Sequence, residues 1–114
     1  MKRKKIKDKP KKKIELWGTK IFSDYYKKLD DDYIKKKIDE KIAEFKRDNN
    51  IGNYIKNKPY PTRYLDNENL FVCNITPTMR LIYTIIGKKN TIIYNLLEVL
   101  NHKEYDVLFG YHTS

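Results

Sequence analysis

The stretch MRLIYTIIGKKNTIIYNLLEVL, Met79–Leu100, decides the fold. Its first eight residues alternate. Arg80, Ile82, Thr84 and Ile86 share one face of a strand and Met79, Leu81, Tyr83 and Ile85 the other, because side chains two apart point to the same side. GKKN, Gly87–Asn90, is a hairpin signal, and the β-prone run from Thr91 to Leu100 returns the chain antiparallel. Upstream, LFVCNIT (Leu70–Thr76) is apolar and β-prone, and TPT (Thr76–Thr78) is a turn. A three-stranded meander follows. Its connectivity places the end of the last strand, near Leu100 to His102, beside the start of the strand before it, near Arg80.

Further upstream the period changes. KIELWGT, Lys13–Thr19, reads as a short first strand. KIFSDYYKKL, Lys20–Leu29, has apolar groups at Ile21, Phe22, Tyr25, Tyr26 and Leu29, which is helical spacing. Asp30, Asp31 and Asp32 interrupt it, and any of these carboxylates can cap the next helix. That helix carries a stripe of Ile34, Ile38, Ile42 and Phe45, and Asn49, Asn50 and Gly52 supply its stop signal. Asn53–Asn69, with two prolines and many turn formers, is a connecting segment. After the meander, HKEYDVLFGY is expected to be a short helix or turn with Leu108 and Phe109 folding back. The order predicts one α+β domain over residues 13–114. In it an antiparallel helical hairpin packs on one face of a small antiparallel sheet, and a short C-terminal helix ends the chain.

Composition bounds the function. The chain has 114 residues, 39% hydrophobic and 35% charged, which suits one modest core. Its 25 Lys and Arg against 15 Asp and Glu leave a formal +10, a field that attracts polyanions such as RNA, DNA, an anionic membrane or an acidic protein. Residues 1–12 read as a flexible basic arm, since lysines broken by Ile6, Asp8 and Pro10 have no core-building period. The single Cys73 excludes an intramolecular disulfide and a cysteine zinc site. No apolar leader core follows the basic start, and no run reaches membrane-spanning length. A cytoplasmic location is expected, with no membrane partner.

Arg80 and His102 carry the chemistry. Alone, each is more often a surface residue. Together they suit a phosphodiester, since a guanidinium stabilises charge developing on phosphate and an imidazole moves a proton near neutral pH. The sequence has no carboxylate cluster of metal-site type, no Ser/His/Asp order and no Gly-rich phosphate loop, so no metal or small-molecule cofactor is expected. RNA carries its own nucleophile in the 2′-hydroxyl, which needs a base, a charge stabiliser and alignment. Lys103, Tyr105 and Tyr111 can add phosphate contacts or proton transfer. In the connecting segment, Lys56, Lys58 and Arg63 interleave with Tyr60 and Tyr64. Such a loop can bind phosphate and stack bases, or it can simply pack its tyrosines on the core.

In element order, from roughly Lys13 to the C-terminus, the chain resembles the RelE/ParE superfamily of toxin-antitoxin toxins, nearest to the RelE- and YoeB-type mRNA interferases. MRLIYTI is similar to the family's arginine-led strand after a turn, and LLEVLNHKEYDVLF to its last strand with a basic or histidine-bearing end. FSDYYKKLDDDYIKKKIDEKIAEF is similar to its helical hairpin. The resemblance implies a RelE-like fold and a ribosome-dependent endoribonuclease that cuts mRNA by metal-free 2′-hydroxyl attack. The implied partners are the ribosome with its mRNA and a cognate antitoxin that wraps the toxin. By the same resemblance Arg80 matches the arginine that contacts the scissile phosphate, and His102 matches the position where histidine-bearing members place a general acid or base. Tyr105 is assigned the catalytic tyrosine's place and Tyr111 a phosphate-binding one with Lys56, Lys58, Arg63 and Lys103, although the spacing after His102 does not choose between the tyrosines. The chain departs from the family in LFVCNIT, which lacks the lysines that many members carry there. Lys56, Lys58 or Arg63 could replace them from the loop. A ParE-type gyrase poison, a non-catalytic RNA-binding domain and a degenerate homologue are the alternatives.

Overall fold

The computed structural model describes residues 12–110. Its elements are β1 (Lys13–Gly18), α1 (Lys20–Lys28), α2 (Asp32–Lys46), β2 (Asn53–Tyr54), a 3-10 turn (Thr62–Tyr64), β3 (Phe71–Thr76), β4 (Met79–Gly87), β5 (Thr91–Asn101) and α3 (His102–Phe109). The proposed basic arm, apart from Lys12, lies outside the described residues, as does Tyr111. Among the described residues no helix is long and apolar enough to cross a membrane.

The meander forms as its alternation predicts, and it sits at the centre of a five-stranded sheet of order β1-β5-β4-β3-β2. The sheet is mixed and not wholly antiparallel, because β1 pairs parallel with β5, Lys13 opposite Thr91 and Gly18 opposite Leu96. A parallel neighbour requires a crossover, and here the chain from α1 onward brings β5 back to the end of the sheet where β1 began. The unexpected strand β2 adds two residues at the far edge, paired with Phe71 and Val72.

Two helices cover one face. Thr19 caps α1 by accepting from Phe22 N (3.1 Å), and Asp31 caps α2 by accepting from Ile34 N (3.2 Å). The α2 stripe drives Ile38 and Phe45 completely into the core, where the Phe45 ring lies 4.6 Å from Tyr83 and 4.9 Å from Tyr94. Leu81 and Tyr83 of β4, with Cys73 and Ile75 of β3, complete this apolar layer. The helix stops earlier than Asn49–Gly52 suggests. Its cap is Arg47, and Asp48 takes the left-handed conformation (φ 57°) while its carboxylate accepts from Tyr94 Oη at 2.8 Å. Gly52 serves close approach instead. Its N–H donates to Tyr83 Oη (2.9 Å), and a Cβ there would strike that hydroxyl and the Val72 carbonyl.

The opposite face is covered too, by the connecting segment and α3. Ile55, Tyr60, Tyr64 and Leu70 from the segment and Tyr105 from α3 are buried against Ile82, Leu97 and Leu100. The loop therefore packs its tyrosines on the core. A β-bulge organises this side. Pairing passes from Ile82–Glu98 to Tyr83–Leu96, leaving Leu97 as the extra residue of β5. Leu96 joins the helix-side core while Leu97 and Leu100 join the other. The freed Leu97 carbonyl accepts from Thr19 Oγ1 at 2.6 Å, so the α1 cap also fastens the bulge.

Candidate active site

The site is built where β4 begins and β5 ends. Met79 pairs with Asn101 and Arg80 with Leu100, and the His102 N–H donates to the Thr78 carbonyl at 2.9 Å. Here the strand must become a helix, and the sequence contains the switch. Asn101 accepts from Glu104 N (2.8 Å) while Glu104 Oε1 accepts from Asn101 N (3.0 Å), a capping box that starts α3 at His102. Asn101 and Glu104 are thus occupied in fixing the helix, which leaves His102 and Lys103 as the side chains presented at its first turn.

Arg80 lies on the α3 side of the sheet, as its parity with Ile82 requires. Its guanidinium stacks over the Tyr105 ring, 4.9 Å from the centroid, and its Nε donates to Asn74 Oδ1 at 3.3 Å across the β3–β4 ladder. Its Nη1 stands 4.0 Å from Asp106 Oδ1, within ion-pair range and too far for a hydrogen bond. Asp106 follows His102 by four residues and so shares its helix face, and Tyr105 follows by three. One turn of α3 therefore brings His102, Tyr105 and Asp106 to the end of the sheet that carries Arg80.

Among the described residues two buried side-chain nitrogens find no hydrogen-bond partner: Arg80 Nη1 and His102 Nδ1. Buried polar groups without partners are uncommon and costly in folded proteins. Both belong to this one edge, where a polar group from outside the chain, water included, could satisfy them. The arginine supplies a fixed positive charge and a donor, and the imidazole nitrogen can accept or give a proton.

The other candidates from the sequence divide. Tyr105 is 8% exposed, with its ring held between Arg80 and Phe109 (4.8 Å), so it forms the platform beneath the guanidinium. Lys103 is exposed and lines a groove with Arg63, Leu100, Val107 and Leu108. Arg63 is bound by a buried carboxylate, its Nη1 lying 2.7 and 3.0 Å from the two oxygens of Glu98. Tyr64 donates its hydroxyl to the same carboxylate, and burial followed by that hydrogen bond pushes its pKa upward. Lys58 donates to the Glu68 carbonyl (3.0 Å) and lies over Tyr60, and Lys56 is exposed on the same segment. These loop cations cover the sheet opposite the helices, but the structure does not join Lys56 or Lys58 to Arg80 and His102 by any contact. Sequence reasoning missed Asn74 and Asp106, which hold Arg80, and Glu98, which holds Arg63. Only Glu98 left a signal: a carboxylate inside the apolar run LLEVL. Among the described residues no group of three or more His, Cys, Asp or Glu could hold a metal ion.

A solved structure described as a YoeB/ParE toxin from Agrobacterium tumefaciens superposes on 77% of this chain and 98% of its own, with a TM-score of 0.58 and 21% identity. The chain has the YoeB/ParE toxin fold. The protein HP0894 of Helicobacter pylori also matches, over 78% of this chain and 94% of its own, at 20% identity and a TM-score of 0.40. No family model matches the chain, and no curated protein does. In this YoeB/ParE toxin fold, the mixed sheet with α1 and α2 on one side and α3 on the other is the scaffold, and the two nitrogens without a hydrogen bond lie where β4 begins and β5 ends.

Proposed function

We propose that this protein is the toxin of a type II toxin-antitoxin system and cleaves mRNA on the ribosome. The observation that carries the reading is the pair of buried nitrogens without a hydrogen bond among the described residues, Arg80 Nη1 and His102 Nδ1, at one edge of a YoeB/ParE toxin fold. In the reaction, His102 takes the proton of the 2′-hydroxyl as its oxygen attacks the adjacent phosphorus. The 5′-oxygen leaves and takes up a proton, giving a 2′,3′-cyclic phosphate and a 5′-hydroxyl end. Arg80 donates to the phosphate oxygens as charge builds on them, held flat by Tyr105 and aimed by Asn74. Lys103, exposed beside His102, contacts a neighbouring phosphate. Tyr105 acts in this scheme by holding the guanidinium, and the partners are the ribosome, its mRNA and a cognate antitoxin.

The test is in vitro translation of a reporter mRNA with mapping of new 5′ ends. The parent protein should cut the message, and Arg80→Ala and His102→Ala should each cut at least about 100-fold more slowly. An uncut message at saturating protein, or undiminished cutting by His102→Ala, refutes the mechanism. Broken DNA with intact mRNA would identify a gyrase poison instead.

A further inference from the structure

One side of α3 meets Arg80, and the side next to it borders a groove lined by Arg63, Leu100, Lys103, Glu104, Val107 and Leu108. The helical contribution follows from spacing, since Lys103 and Val107, like Glu104 and Leu108, stand four residues apart and share a stripe of the helix. The groove adjoins the candidate active site. Leu100 is the register partner of Arg80, and Lys103 follows His102. Its floor is apolar and open, for Leu100 is buried, Leu108 packs partly against the same core, and Val107 is 84% exposed. From the connecting segment comes Arg63, which the buried Glu98 grips through Nη1 at 2.7 and 3.0 Å while half of the arginine side chain stays exposed. A buried ion pair is a weak source of stability, because apolar side chains of similar volume often hold a core as well. What this pair does accomplish is to fix a guanidinium plane in the wall of the groove and to balance its charge.

We propose that this groove holds a nucleotide next to the scissile phosphate, its base between the Arg63 guanidinium and the apolar floor and its phosphate on Lys103, with Glu98 as the positioning residue that sets the guanidinium plane. Guanidinium planes and apolar side chains both pack on the faces of unstacked bases. Lys103, which has no ion pair among the described residues, supplies the charge that a phosphate needs. An acidic peptide suits the groove less well. Arg63 is already balanced by Glu98, and Glu104 stands in the same lining, so a row of carboxylates would meet one unpaired cation beside a like charge. A nucleotide brings a single negative charge and a flat ring. The choice of RNA, and of a nucleotide beside the cut, rests on the mRNA-cutting role proposed above.

The experiment measures binding of the full chain to two uncleavable probes, an unstructured 2′-O-methyl RNA hexamer and the same hexamer without its bases, across a salt series. The parent should bind the complete hexamer at least about fivefold more tightly, the least that one stacked base contributes. Arg63→Gln together with Glu98→Gln removes the plane without altering net charge. That double variant should lose the preference while keeping the base-free affinity and its salt dependence. Val107→Ser, at a position open to solvent, should reduce the preference by a smaller factor. Lys103→Gln should weaken both probes and flatten the log Kd against log salt slope by about 0.7, the share of one phosphate, whereas Lys88→Gln, beyond the far end of β4, should leave the slope as it was. A preference that survives in the folded double variant overturns the proposal, and if that variant does not fold, a preference unchanged in Val107→Ser overturns it equally. So does a parent that binds neither probe or binds both alike, and so does a slope in Lys103→Gln no flatter than in Lys88→Gln. Loss of the preference in the groove variants of a chain that cuts no mRNA on ribosomes would refute the nuclease reading and leave the groove standing. An unaltered preference beside cutting that depends on His102 would do the reverse.

Discussion

The two faces of the sheet are built from the same strands and differ in kind. Under α1 and α2 the packing is apolar and aromatic, with Ile38, Phe45, Leu81 and Tyr83 inaccessible to solvent. Under the connecting segment and α3 it is interrupted by polar groups: Glu98 at 7% exposure with Arg63 and Tyr64, Thr84 donating to Asn69, and Arg80 over Tyr105. The first face can be sealed because helices satisfy their own backbone. The second is covered by irregular chain, whose polar groups need partners, so side chains with hydrogen-bonding capacity must be there. Arg80 lies on this second face, over Tyr105 of α3, where the phosphate chemistry is proposed. Both faces bury an apolar core, and the second adds to it the polar groups at which the phosphate chemistry is proposed.

The sharpest way to break this comparison is Phe45→Ala. Removal of a ring that packs on both Tyr83 and Tyr94 should lower stability by about 3–5 kcal/mol in denaturant unfolding, while mRNA cleavage per folded molecule stays within twofold. Glu98→Gln probes the second face. It removes the charged acceptor of Arg63 and Tyr64 and should cost about 1–3 kcal/mol, tempered because the Arg63 side chain is half exposed and finds water. A loss as large as that of Phe45→Ala would mean that the polar face is as much a stability element as the apolar one.

The apolar face should also respond to pH. Burial pushes the Cys73 thiol up to about 12 from an ordinary value of 9.0, and Tyr83 and Tyr94 beside it move in the same direction, chiefly through burial. In the unfolded chain the thiol ionises near 9, whereas in the folded chain it keeps its proton, so the folded state binds more protons in that window. Stability should be flat with respect to this thiol below pH 9 and fall as pH rises toward 12. Cys73→Ala should make the decline start later, near the tyrosine range, as followed by thermal unfolding at stepped pH. A parallel decline in both proteins would show that the thiol does not set it.

Much of the fold was legible. Alternation in MRLIYTII assigned Leu81 and Tyr83 to one face and Arg80 and Ile82 to the other, and the structure keeps that division because register on a buried sheet cannot slip by one residue. The hairpin at Gly87–Asn90 brought the ends of β4 and β5 together, and with them Arg80 and the start of α3. Less could be read where parity fails. The extra residue at Leu97 turns Leu100 to the side opposite that of Leu96, and an apolar run such as LLEVL reads the same with or without a bulge. The parallel seat of β1 was hidden for a similar reason, since pairing direction depends on where a crossover deposits the strand.

The sequence by itself determined the longer elements, the meander, the helical hairpin and the neighbourhood of Arg80 and the start of α3, because these follow from short-range periodicity and a tight turn. Tertiary structure alone decided what each polar residue faces. It made Tyr105 a platform, tied Arg63 to Glu98, closed Asn101 and Glu104 into a cap, and left Arg80 Nη1 and His102 Nδ1 without a hydrogen bond among the described residues. The reason is that a hydrogen bond or ion pair depends on ångström distances between groups far apart in the chain, and no local pattern of residues encodes those.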